Sequence, residues 1–94
     1  MANIDILARK IYANNCVFMN EGMSVLFEQY NQRIRYAFYR LPIDTLHKLC
    51  DAFYSIMKQD NNLVSEYMYN MTRFALEDAE RGYGHKPHEP YILT

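Results

Sequence analysis

From Met23 to Leu41 apolar residues recur at Met23, Phe27, Tyr30, Ile34, Ala37 or Phe38, and Leu41, alternately four and three residues apart. That spacing puts them on one face of a helix. The opposite face carries Gln29, Gln32, Arg33, Arg35, Tyr36, Tyr39 and Arg40, and no acidic residue interrupts the chain from Gln29 to Ile43. One side is built to bury and the other to present arginines interleaved with tyrosines. The helix must end near Leu41, because Pro42 lacks an amide proton and pushes the residue before it out of helical geometry.

The same periodicity places helices on both sides. Asn3 is positioned to cap a first helix whose Ile4, Leu7, Ala8 and Ile11 follow the i, i+3, i+4, i+7 rule. It runs on to Phe18 or Met19, or breaks at Asn14 and Asn15, whose amides compete with the backbone for hydrogen bonds. Glu21 and Gly22 mark the junction to the second helix. Asp44 sits where a cap belongs for a third, with Leu46, Leu49, Cys50, Phe53 and Met57 as its apolar stripe. A fourth follows the polar turn Gln59–Asn62, capped by Asn61 or Asn62, with Val64, Tyr67, Met68, Met71, Phe74 and Ala75 inward and Gly82 placed to end it. No strand-like alternation competes, so the expected fold is all-α: a compact antiparallel bundle of three to four helices over residues 1–83. Residues 84–94 change character. Gly84, Pro87 and Pro90 forbid regular helix, and the expected extended tail carries an apolar triplet, Tyr91, Ile92 and Leu93, that is either frayed or a docking arm.

Composition supports one ordered domain. Ninety-four residues can bury roughly 60–65% of the surface of the unfolded chain, and nine Tyr with five Phe supply large side chains for a core. No apolar run approaches the ~20 residues a membrane helix needs, and the N-terminus lacks the progression of a signal peptide, so a soluble cytoplasmic protein is expected. In that compartment Cys16 and Cys50, which lack C-x-x-C spacing, read as reduced thiols packed as small hydrophobes.

The net charge of −1 argues against a dedicated nucleic-acid coat, but charge is unevenly placed. Arg33, Arg35, Arg40 and Lys48 make the centre basic, while Glu77, Asp78 and Glu80 make the late helix acidic, with Arg73 and Arg81 four residues either side of Glu77. Catalytic signals are weak. No G-x-S-x-G, glycine-rich phosphate loop or H-E-x-x-H occurs. His47 and Cys50 lie one turn apart, but Cys50 belongs to an apolar stripe and a buried thiol is unreactive. His85 and His88 lack the paired spacing of a zinc site, so no metal and no cofactor is expected.

What remains is surface. Arginine and tyrosine are the side chains most enriched at interface hot spots, which makes Gln29, Arg33, Arg35, Tyr36, Tyr39 and Arg40 the candidate partner-binding residues, with Tyr91, Ile92 and Leu93 as a possible docking tail. Half-buried packing at a helix boundary would use the same side chains. The methionines Met19, Met23, Met57, Met68 and Met71 suit irregular cores or adaptable interfaces, and exposure of Met19, Val25 or Tyr69 would signal the latter. The expected function is a small non-enzymatic interaction module: an adaptor, assembly factor or stoichiometric inhibitor of a larger protein machine, of the kind phages encode. The heptad-like second helix suggests a homodimer. The alternative is nucleic-acid or nucleotide binding by the Arg/Tyr face through stacking and phosphate pairing.

Overall fold

The helices begin and end where backbone chemistry changes. In the computed structural model, which describes residues 4–82, they are α1 (Ile4–Asn20), α2 (Ser24–Phe38), α3 (Ile43–Gln59) and α4 (Leu63–Glu80). Asn3 and segment 84–94, with Tyr91, Ile92, Leu93, His85 and His88, lie outside the described residues. α1 does not break at Asn14 and Asn15. Their amides are engaged by α2 instead of competing for the backbone of α1: Asn14 Nδ2 donates to Tyr30 Oη at 3.0 Å, and Asn15 pairs with Asn31. The turn into α2 uses Gly22 at φ +68°, a left-handed conformation that glycine adopts without Cβ strain.

α2 stops at Phe38, earlier than its apolar pattern predicts. The amides of Arg40 and Leu41 bond three residues back, to the carbonyls of Ala37 and Phe38, which tightens the last turn before Pro42. Pro42, extended at ψ 154°, is itself the N-cap residue of α3, so Asp44 lies in the first turn and not at the cap. There its carboxylate still faces the positive end of the helix dipole. α4 has the most complete start: Asn62 Oδ1 accepts from the Ser65 amide and Ser65 Oγ accepts from the Asn62 amide, each at 3.0 Å. Past its end, Gly82 sits at φ +88°, as a helix-terminating glycine should.

With short links, neighbouring helices run antiparallel. α3 and α4 form the most extensive contact, α1 lies across both, and α2 closes the bundle against α1 and α4. The core is Leu46, Leu49, Cys50, Ala52, Phe53 and Ile56 from α3; Val64, Met68, Met71, Ala75, Leu76 and Ala79 from α4; Ala8 and Ile11 from α1; and Phe38 from α2. Several expected core positions turn out otherwise. Leu7, Met23 and Phe74 are exposed, and Tyr67, Met57 and Cys16 are only partly buried. The inward line of α1 runs through Ala8, Ile11 and Asn15, and that of α4 through Val64, Met68, Met71, Thr72, Ala75 and Ala79, which rotates Leu7 and Phe74 outward. The heptad-like stripe of α2 is spent inside the monomer: Phe38 is buried, and Phe27, Tyr30 and Ile34 are half-buried against its neighbours.

Candidate functional site: the outer face of α2 and its groove with α4

The direction in which α2 docks is set by Asn31 and Phe38, the two residues it buries. Every other position on the helix follows from that. Gln29, Arg33, Tyr36 and Arg40 fall on the side away from the core, all exposed. Arg35, four residues after Asn31, and Tyr39, next to Phe38, fall on the shoulder facing α4. Tyr39 is half-buried there, and its hydroxyl donates to Asp78 Oδ2 on α4 at 2.8 Å. The six candidate residues therefore divide into an outward group and a pair that meets α4.

Among the described residues Arg33, Arg35 and Arg40 make no ion pair. The pairs present are His47–Glu80 at 3.2 Å, Arg73–Glu77 at 3.9 Å and Arg81–Asp78 at 3.9 Å. Arg81 thus pairs with Asp78, one helical turn back, rather than with Glu77. All three are substantially solvent-exposed and so contribute little to stability. They place an arginine beside each of Glu77 and Asp78 on α4 and engage none of Arg33, Arg35 and Arg40 among the described residues.

Between the shoulders of α2 and α4 lies an open groove of about 250 Å³, lined by Arg35, Tyr39, Tyr67, Asn70, Met71 and Phe74. Phe74 is 54% exposed, and the guanidinium of Arg73 lies 5.8 Å from its ring centre. Arg35 is the one formal charge among the lining residues. The volume falls below the ~300 Å³ at which pockets for drug-sized molecules begin. It suits an anchoring side chain of a polypeptide better than a whole cofactor. The α4 half of this site was missed in the sequence because Phe74 reads as a core residue; the signal was Tyr67, Asn70 and Phe74 on one stripe, mixed in polarity where a core stripe would be uniform.

A second apolar surface gathers where α1 turns into α2. Val17, Met19, Met23, Val25 and Leu26 are all exposed, Val25 by 64%. Behind them lies a feature with no forewarning in the pattern: Asn15 and Asn31, at most 1% exposed, exchange two amide hydrogen bonds of 3.0 and 2.8 Å. Asn15 Nδ2 also lies 3.0 Å from Met68 Sδ, and Asn31 Nδ2 donates to the Phe27 carbonyl at 2.9 Å.

The His47 and Cys50 side chains, one turn apart on α3, are each held by their surroundings. Burial pushes the Cys50 thiol up to about 11, away from the thiolate a nucleophile needs, and His47 Nε2 is engaged by Glu80. Among the described residues no three His, Cys, Asp or Glu side chains converge as metal ligands, and no helix is long and apolar enough to cross a membrane. Compared with known protein families, curated proteins and solved structures, the chain finds no match, so its function has to be read from its own surface.

Proposed function

We propose that this chain is a non-enzymatic interaction module that grips a larger protein, as an adaptor, assembly factor or stoichiometric inhibitor in a cytoplasmic setting. The observation that carries the reading is Phe74: a large aromatic side chain left 54% exposed in an apolar groove, with Arg35 and Tyr39 on the opposite lip. Aromatic anchors ringed by arginine and tyrosine concentrate binding energy. Arg33, Tyr36 and Arg40 extend the contact around α2. A self-associated form would use the α1–α2 corner at Val25 and Leu26, since most of the heptad stripe of α2, from Phe27 to Phe38, already packs half-buried or buried within the monomer.

The test is capture of partners from an extract of the source cells, with nuclease present, by immobilised wild-type chain and by a Phe74→Ser/Arg35→Glu variant. Both residues are exposed, so the variant keeps the core. The expected result is one defined protein, retained in stoichiometric amount by the wild type and lost by the variant. Equal retention by both would refute the placement of the site.

A second reading has its own observation. The outward arc of α2, Gln29, Arg33, Tyr36 and Arg40, carries two arginines and no acid. Single-stranded nucleic acid could stack and pair there. It requires a raised 260/280 nm absorbance ratio in protein purified without nuclease, falling to a protein value at high salt as counterions compete for the phosphates.

A further inference from the structure

The α2–α4 groove has an apolar floor of Met71, Phe74 and Tyr67, an amide at Asn70, and one charge, Arg35, with no ion pair among the described residues. Its complement is an apolar side chain with a carboxylate a residue or two away. This chain contains such a sequence. Of the twelve residues that follow Gly82, Glu89 is the single acid, and it stands two positions before Tyr91-Ile92-Leu93. We propose that the segment 83–94 seats this stretch in the α2–α4 groove of its own chain, with Glu89 at Arg35 and the Tyr91–Leu93 triplet over Met71 and Phe74. The inference rests on the reading of the groove as a docking site and names its resident occupant.

Reach permits it. Helical rise puts Phe74 roughly 12 Å and Asn70 roughly 18 Å behind Gly82 along α4. The seven residues from Tyr83 to Glu89 span roughly 23 Å when extended. Gly82, at φ +88°, already turns the chain off the α4 axis. Pro87 and Pro90 restrict the unbound backbone and so lower the ordering cost of docking. Tethering matters most. A short linker gives an effective concentration on the order of 1 mM, so a seat with an intrinsic Kd of roughly 0.1 mM would be about nine-tenths occupied. An external partner carrying the same chemistry would have to displace the segment, which makes the groove self-inhibited.

The test uses the full chain labelled on its methionine methyls and backbone amides for NMR. Met71 reports the floor, Asn70 and Arg35 the lips, and Met57 of α3 serves as a distant reference. Tyr91→Ala/Ile92→Ala/Leu93→Ala should move the Met71, Asn70 and Arg35 signals and leave Met57 in place. A synthetic peptide of residues 83–94 added to that variant should return them to their wild-type positions. Arg35→Glu should displace the Met71 and Asn70 signals, and Arg35→Glu/Glu89→Arg should restore them. Coincident groove signals in wild type and triple variant would overturn the proposal. So would a perturbation that fades when wild-type protein is diluted fiftyfold, because that would place the segment on a neighbouring copy. Silent groove signals together with partner loss in Phe74→Ser/Arg35→Glu would sink the inference and spare the function. Responsive signals with unchanged partner capture would do the reverse.

Discussion

Replacing Asn31 by leucine removes one half of the buried amide pair and keeps its size. Asn15 is then left with an unsatisfied Oδ1 and, for its Nδ2, only the sulfur of Met68, in a site where the residue is fully buried. A buried polar group stripped of its partner costs about 1–3 kcal/mol. The lost bond to the Phe27 carbonyl adds less, because that oxygen keeps its place in the helix ladder. Asn31→Leu is therefore expected to lose about 2 kcal/mol, or about 8–16 °C in melting temperature for a domain of this size. Asn15→Leu should lose a similar amount for the same reason. The double variant leaves no orphaned amide, and apolar groups of matching shape can be nearly neutral. It should fall within about 1 kcal/mol of wild type, giving a coupling of about 3 kcal/mol between the two sites. Urea unfolding followed by far-UV circular dichroism measures all four proteins. A double variant destabilised by the sum of the singles would refute the idea that each amide is needed chiefly to satisfy the other.

Other expectations follow from the same structure. Asn62→Ala removes both the cap of α4 and the 2.8 Å bond that Asn62 donates to Tyr12 Oη, and should cost about 1–2 kcal/mol in the same denaturation assay. Gly82→Ala forces a Cβ into a left-handed conformation and should cost about 1 kcal/mol, with no contribution from crowding because nothing lies within 4 Å of that position. Cys50 should react with a disulfide reagent at pH 8 more slowly than Cys16, read from two-phase thiol release, since its pKa is raised to about 11 by burial. The folded chain holds that proton more tightly than the unfolded chain, whose thiol titrates near 9, so the stability contributed by this thiol is constant below pH 9 and is lost as pH rises from 9 to 11. Cys50→Ser, which removes the thiol, should flatten that slope.

The helices were readable because their punctuation is strong: Gly22, Pro42 and Gly82 act through backbone geometry and Asn62 through its capping side chain, local effects that tertiary packing does not override. The faces were less so. Hydrophobicity marks Leu7, Met23 and Phe74 as inward, but which arc of a helix buries depends on where its neighbours lie, information absent from a periodicity of 3.6. Asn15 and Asn31 show the converse, since each alone looks like a helix breaker or a solvated amide. Their cost of burial vanishes only when the fold brings them together. Of the candidate site, the outward residues Gln29, Arg33, Tyr36 and Arg40 followed from the pattern of one helix. The groove needed two, and Arg35 and Tyr39 acquired their setting from Tyr67, Asn70 and Phe74.

The measurement that bears most directly on the interaction reading is photo-cross-linking in the source cells from a benzophenone amino acid placed at position 74, against a control at position 55 on the exposed face of α3. The expected result is a discrete protein adduct from position 74 that is absent from position 55. Identical adducts from both positions, or adducts only to nucleic acid, would contradict it.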